Sequence, residues 1–122
     1  MRKIILAAAF AALSFMAYSS AAYAHAELMA AEPPVNGTVK SAPTELDLKF
    51  SEELNLKFTG IKVTGPDKKE VKTENAMLMD GDKTLMVSVP GALVPGTYKV
   101  EWHALSQDGH KTKGQYNFTV KP

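Results

Sequence analysis

Thr44-Glu45-Leu46-Asp47-Leu48-Lys49-Phe50-Ser51 is the stretch that decides the fold class of this chain. Its apolar residues alternate with charged ones, and a period of two places every second side chain on the same face of an extended strand. One face therefore enters a core while the other meets solvent. This pattern is typical of a half-buried antiparallel strand.

The same alternation recurs at Ile61 and Val63, at Leu85, Val87 and Val89, at Tyr98, Val100 and Trp102, and at Tyr116, Phe118 and Val120. Turn signals with Gly or Pro separate these runs: Asn36-Gly37, Thr64-Gly65-Pro66-Asp67, Asp80-Gly81-Asp82 and Val94-Pro95-Gly96. We predict an all-β domain, an immunoglobulin-like Greek-key β-sandwich or barrel of about seven strands, with the alternating apolar residues as its core.

Residues 1–24 have the pattern of a cleaved signal peptide. Arg2 and Lys3 precede an apolar run at residues 4–17 that is too short for a membrane span, and Ala22 and Ala24 fit the small-residue rule of signal peptidase. An uncleaved amino-terminal anchor is the alternative. Cleavage after Ala24 predicts an exported, periplasmic protein whose single domain comprises residues 25–122.

The predicted mature domain is nearly neutral and has no cysteine. Once Arg2 and Lys3 are removed, 12 of the 14 basic residues remain against 13 acidic ones. Interspersed charges of both signs argue against a nucleic-acid partner. Because cysteine is absent, stability must come from packing, and a metal site must use nitrogen, oxygen or thioether donors.

A second stretch, Ser106-Gln107-Asp108-Gly109-His110-Lys111, carries groups that suit metal chemistry. Asp108 and His110 place a carboxylate and an imidazole two residues apart. Asp-Gly is also the commonest hairpin-turn dipeptide, so an ordinary turn with a solvent-facing histidine is the alternative interpretation.

His25 is the best partner for this pair. Cleavage after Ala24 would give it a free α-amine beside its imidazole, so that one residue offers two nitrogens. An amine, two imidazoles and a carboxylate form the tetragonal donor set that copper(II) prefers. His25, Asp108 and His110 would provide that set, although a disordered terminal histidine is the alternative for His25 and an ordinary turn is the alternative for Asp108 and His110.

Four groups of residues also occur together in one known family. They are His25-Ala26-Glu27-Leu28 with Pro33 and Pro34, Leu48-Lys49-Phe50-Ser51-Glu52, Phe58-Thr59-Gly60, and the tail from Gly96 to His103 with Ser106, residues 108–114 and Phe118. In these residues the chain resembles the CopC family of periplasmic copper-binding proteins, and in particular its YobA-like members without a methionine-rich loop. The resemblance covers essentially the whole mature domain.

The resemblance implies a compact β-sandwich that binds copper(II) through an amino-terminal histidine and an Asp-x-His segment. The matching residues here are His25, Asp108 and His110. Some family members add a carboxylate from a Phe-Ser-Glu segment, which implies a role for Glu52. A glutamate at the end of an exposed strand is more often solvated, and Glu52 ranks below the other three.

Two further groups are expected to lie outside the copper(II) site. Relatives with a copper(I) site carry a run of methionines and a histidine in one loop, whereas here only Met77 and Met79 fall together. Thioethers are suitable copper(I) ligands, but two methionines at strand spacing favour an apolar patch. By its parity in the strand, His103 is predicted to be a surface residue.

These observations favour a non-enzymatic copper(II) carrier or sequestering protein in copper homeostasis or resistance. Its expected partners are the copper ion and either an inner-membrane copper transporter or another periplasmic copper protein, and the mature form is not expected to be embedded in a membrane. Two alternatives are a histidine-brace copper oxygenase and a metal-free immunoglobulin-like interaction module. An Asp ligand in the copper plane and a short chain argue against the oxygenase.

Overall fold

A computed structural model describes residues 25–122 of the protein, and the predicted signal peptide at residues 1–24 lies outside the described residues. Nine strands form within this range: β1 Leu28–Glu32, β2 Thr38–Val39, β3 Glu45–Phe50, β4 Gly60–Thr64, β5 Glu70–Val71, β6 Glu74–Met79, β7 Thr84–Ser88, β8 Gly96–Leu105 and β9 Lys111–Val120. A one-turn 3-10 helix, Leu56–Phe58, connects β3 to β4.

The strands form two sheets that face each other. One has the order β1-β3-β7-β6 and is antiparallel throughout, and the other has the order β2-β9-β8-β4-β5 with a single parallel pair, β2 and β9. The prediction of an all-β sandwich is confirmed. Seven strands have five residues or more, as expected, and the two additional strands have only two residues each.

The alternating apolar residues of both sheets form the core, as predicted. Leu46, Leu48 and Phe50 are buried on β3, and they face a stacked aromatic pair, Tyr98 and Phe118, whose ring centroids are 5.2 Å apart. Each fully buried side chain of this size stabilises the fold by about 1.5–3 kcal/mol. Core packing therefore supplies the stability that small exported domains often obtain from disulfides.

Two predicted core residues lie at the edge of the core. Ile61 and Trp102 are only half-buried, although both pack against the buried cluster. The Trp102 indole meets the Phe50 ring edge-on at 5.1 Å and lies over the backbone of Gly114, which faces it across the β8–β9 pair. The ring therefore closes one end of the sandwich.

The turns predicted from Gly and Asp are present and adopt the backbone conformations that these residues favour. Asn36, Asp80, Gly81 and Asp82 all have positive φ, the region that Gly, Asn and Asp enter most readily. Within the described range, the chain has no helix of the length and apolar character needed to cross a membrane.

Candidate metal centre

Asp108 and His110 lie in the turn that joins β8 to β9. The Ser106 N–H donates to the His110 carbonyl at 3.0 Å, and the Gly109 N–H donates to the Ser106 carbonyl at 2.9 Å. Gly109 has a φ of 95°, a conformation that favours glycine over other residues. The hairpin interpretation and the ligand interpretation are therefore compatible, because the turn itself presents Asp108 and His110 to solvent.

One buried hydroxyl organises this turn. The Ser106 side chain is 2% exposed, and its Oγ donates to the Asp108 carboxylate in a short hydrogen bond while it accepts the His110 N–H at 3.2 Å. Both predicted ligands are thus tied to the same buried atom. Sequence reasoning missed this role, since a serine beside a turn has many other partners available.

The Asp108 carboxylate is held in its charged form. Its Oδ1 also lies 3.2 Å from Nδ1 of His110. The hydrogen bond from Ser106, followed by the one to His110, holds the pKa of Asp108 below its usual range. A deprotonated carboxylate is the form that binds a metal.

Residues 25–27 are fixed to both sheets, and this brings His25 to the turn. At the end of β3, the Ser51 Oγ donates to the His25 carbonyl at 3.2 Å and accepts the Glu27 N–H at 2.9 Å. On β9, the Thr112 Oγ1 donates to the Ala26 carbonyl at 2.8 Å, and the Ala26 side chain is fully buried.

As a result, the imidazoles of His25 and His110 stack with their centroids 5.1 Å apart and their planes at 30°. Two histidines that lie 85 positions apart in the sequence thus meet at one end of the sandwich. His25 therefore lies against His110, which in turn contacts the Asp108 carboxylate.

The donor atoms are near each other but do not yet converge on one point. Among residues 25–122, no three His, Asp or Glu side chains form a ready metal-binding group. Ligands with bonds of about 2 Å to one metal lie about 3 Å apart, which is close to the separation of the Asp108 and His110 donors. The stacked imidazoles would have to rotate, and both are exposed enough to do so.

The four other residues considered as ligands lie apart from this arrangement or at its border. Half-buried Glu52 lines a surface depression together with Asp108, so its role as a ligand stays a prediction. Met77 and Met79 are exposed on the edge strand β6, as expected for an apolar surface patch. His103 is exposed on the outer face of β8, which confirms the surface prediction.

The chain is similar to a known protein family, and several of its sequence relatives are named for copper resistance. The CopC domain family matches residues 28–121. Protein YobA of Escherichia coli (strain K12) is 43% identical over 114 residues, which cover 93% of this chain and 92% of that protein. Copper resistance protein C of Escherichia coli is 37% identical over 113 residues, with 87% and 89% covered.

The crystal structure of CopC from Methylosinus trichosporium OB3b has the same fold. It superposes with a TM-score of 0.73 at 31% identity and covers 80% of this chain and 95% of its own. The family match, the sequence relatives and this structure agree over nearly all of the described range. The chain belongs to the CopC family.

Proposed function

We propose that the mature protein is a periplasmic copper(II)-binding protein that carries or sequesters copper in copper homeostasis or resistance. The observation that carries this proposal is the approach of His25 to Asp108 and His110, which the folding of residues 25–27 across both sheets produces. Copper resistance protein C, one of the sequence relatives, is named for copper, and this supports the choice of metal.

The donor set favours copper(II) over other divalent ions. Cleavage after Ala24 would turn the His25 peptide nitrogen into an amine, and this amine, two imidazoles and the Asp108 carboxylate are nitrogen and oxygen donors of intermediate or hard character. Copper(II) binds such donors most tightly among the divalent first-row metals. Glu52 is a candidate for a further oxygen at the edge of the site.

The function we propose involves no chemistry on a substrate. The protein would bind copper tightly enough to hold it and would exchange it with an inner-membrane transporter or another periplasmic copper protein. Because amine and imidazole ligands must lose protons to bind, copper affinity should fall as the pH is lowered below neutrality.

Copper(II) titration of the mature protein by calorimetry, with electron paramagnetic resonance as a second readout, tests the proposal. His110→Ala and a variant extended by one residue before His25 should each lose most of the affinity. His103→Ala serves as the matched control, because it removes an exposed imidazole from the same strand pair without touching the site. Unchanged copper(II) affinity in both test variants would contradict the proposal.

The amino-terminal residue of the exported protein is a separate check on the same idea. Mass spectrometry of the mature protein should give the mass expected for a chain that begins at His25. A mature chain that starts at another residue would remove the predicted amine ligand.

A further inference from the structure

Two surface depressions of opposite charge flank the Ser106–His110 turn. On one side, Ser106, Gln107 and Asp108 border the depression that also contains Glu52, Glu53 and Lys83. On the other side lies a shallow groove of about 290 Å³ lined by Lys57, Phe58, His103, Ala104, Lys111 and Thr112, which we call the lysine groove. Its six lining residues include two lysines and no carboxylate.

The lysine groove is lined at the start of β9 by residues that directly follow the proposed ligand His110. Lys111 follows His110 directly, and Thr112 is the residue whose hydroxyl holds the Ala26 carbonyl next to His25. Lys113 pairs with His103 across β8 and β9 and adds a third cation at the border. A molecule seated in the groove would therefore lie beside the end of the turn that carries Asp108 and His110.

Phe58 is exposed within this groove on a backbone that is held at both ends. Its side chain is 51% exposed, and the Lys57 ammonium lies 5.6 Å from the centre of its ring. The helical turn that carries it is anchored at both ends: Asn55 caps it through the Lys57 N–H, and the Thr59 hydroxyl accepts the Leu105 N–H at 3.1 Å. A large exposed aromatic ring on an anchored backbone is typical of an interface anchor.

His103 forms the floor of the groove and is also ordered. Its ring lies across the backbone of Gly60 on β4, where a Cβ would come within 3.2 Å of its Cε1 atom. The groove thus has an aromatic wall, an imidazole floor and a border of lysines. These features complement a segment with carboxylates around an apolar or aromatic side chain.

We propose that the lysine groove is the docking site for an acidic segment of a protein partner, with Phe58 as the apolar anchor and Lys57 and Lys111 as the charge contacts. That this partner exchanges copper rests on the proposed function, whereas binding of the segment does not. A concave site of this size fits a few side chains of a polypeptide, while a lipid surface requires a broader basic or amphipathic face.

The test uses the folded domain of residues 25–122 without copper and the peptide acetyl-Glu-Glu-Trp-Glu-Glu-amide as the probe. In two-dimensional NMR spectra, the peptide should shift the amide signals of Phe58, His103 and Lys111. The dissociation constant should rise with NaCl, since screening weakens attraction between exposed charges. Shifts that lie elsewhere on the domain would contradict the assignment.

Charge reversal provides the matched comparison. Lys57→Glu combined with Lys111→Glu should raise the dissociation constant by about tenfold or more, because attraction becomes repulsion at two contacts. Lys40→Glu with Lys121→Glu makes the same change in net charge at the other end of β9, where both lysines are exposed, and should have a much smaller effect. Equal losses in both double variants would show non-specific attraction and overturn the proposal.

Two more measurements separate the possible outcomes. Phe58→Ala should weaken peptide binding while circular dichroism shows an unchanged fold. If vesicles that contain phosphatidylglycerol bind the protein through the same lysines and the peptide does not bind, the surface is a membrane site and the proposal fails. Copper(II) affinity of Phe58→Ala should equal that of the unaltered domain, so a failure to bind copper at all would count against the proposed function alone.

Discussion

Ser106 shows how much a single residue contributes to the proposed metal centre. Its buried hydroxyl joins the Asp108 carboxylate to the His110 backbone. Ser106→Ala should leave the domain folded but release the turn, and groups that orient metal ligands typically change metal affinity by about 10-fold to 100-fold when they are removed. Copper(II) titration and the paramagnetic resonance spectrum of the bound metal measure this effect.

Ser41→Ala is the control for Ser106→Ala, since Ser41 is an exposed serine far from the turn in sequence. It should leave both the affinity and the spectrum unchanged. A normal spectrum and normal affinity in Ser106→Ala would show that the turn holds Asp108 and His110 without the hydroxyl.

Two buried tyrosines should respond differently when the hydroxyl group of each is removed. The Tyr98 Oη donates to the Val94 carbonyl at 2.5 Å, whereas the Tyr116 Oη is buried with no hydrogen-bond partner among the described residues. Burial raises the pKa of both phenol groups above the usual value for tyrosine, because it disfavours the charged form. Tyr98→Phe should cost about 1 kcal/mol, and Tyr116→Phe should be neutral or stabilising.

Urea unfolding of both Tyr→Phe variants beside the unaltered domain measures this difference. Each variant removes one oxygen and keeps the ring, so packing is matched. Equal destabilisation by the two substitutions would mean that Tyr116 has a partner or that the Tyr98 bond is weak.

At the scale of the strands, the period-two pattern predicted the sheets because sheet burial depends on the alternation itself. β3 and the pairing residues of β8 and β9 followed the pattern residue by residue. The two-residue strands β2 and β5 were missed since they bury too few side chains to leave a pattern. Ala26 and Leu54 belong to the core for a tertiary reason, as they lie outside the long strands and are enclosed by them.

The candidate site was predictable in its residues but not in its assembly. Asp108 and His110 are neighbours in the chain, and their turn follows from local chemistry. The approach of His25 depends on Ser51 and Thr112, which reach the first residues of the domain from different sheets. No local pattern in the sequence encodes that contact.

The pairing of β8 with β9 depends on a residue without a side chain. A Cβ at Gly114 would lie 2.6 Å from the Trp102 ring, and the ring has little room to move because it also meets Phe50. Gly114→Ala should therefore destabilise the domain by about 1–3 kcal/mol, the usual cost of overpacking. Gly91→Ala is the control, since nothing lies within 4 Å of its added methyl group.

Thermal unfolding and tryptophan fluorescence report on this contact together. In Gly114→Ala the midpoint should fall and the emission should change, because Trp102 is the only tryptophan of the chain. An unchanged midpoint with an unchanged spectrum would show that the hairpin can shift to make room for the methyl group.

At the scale of the whole molecule, the stability of the domain should depend on pH through one carboxylate on the outer face of β3. Burial, followed by the neighbouring Glu45, Glu32 and Asp80, raises the pKa of Asp47 to about 6 from 3.8. The folded state therefore keeps a proton that the unfolded state releases between these values. Stability from this group is present at low pH and is lost as the pH rises through about 6.

Asp47→Asn should remove this loss, since an amide does not ionise among the three other carboxylates. The variant should be more stable than the unaltered domain at pH 7 by on the order of 1 kcal/mol, after allowing for solvent screening of a half-buried group. The advantage should shrink as the pH falls from about 6 toward 3.8 and vanish well below 3.8, where Asp47 is protonated in both the folded and the unfolded state. Urea unfolding at several pH values measures the difference, and an advantage that stays constant with pH would show that Asp47 ionises normally and that its burial is relieved by solvent.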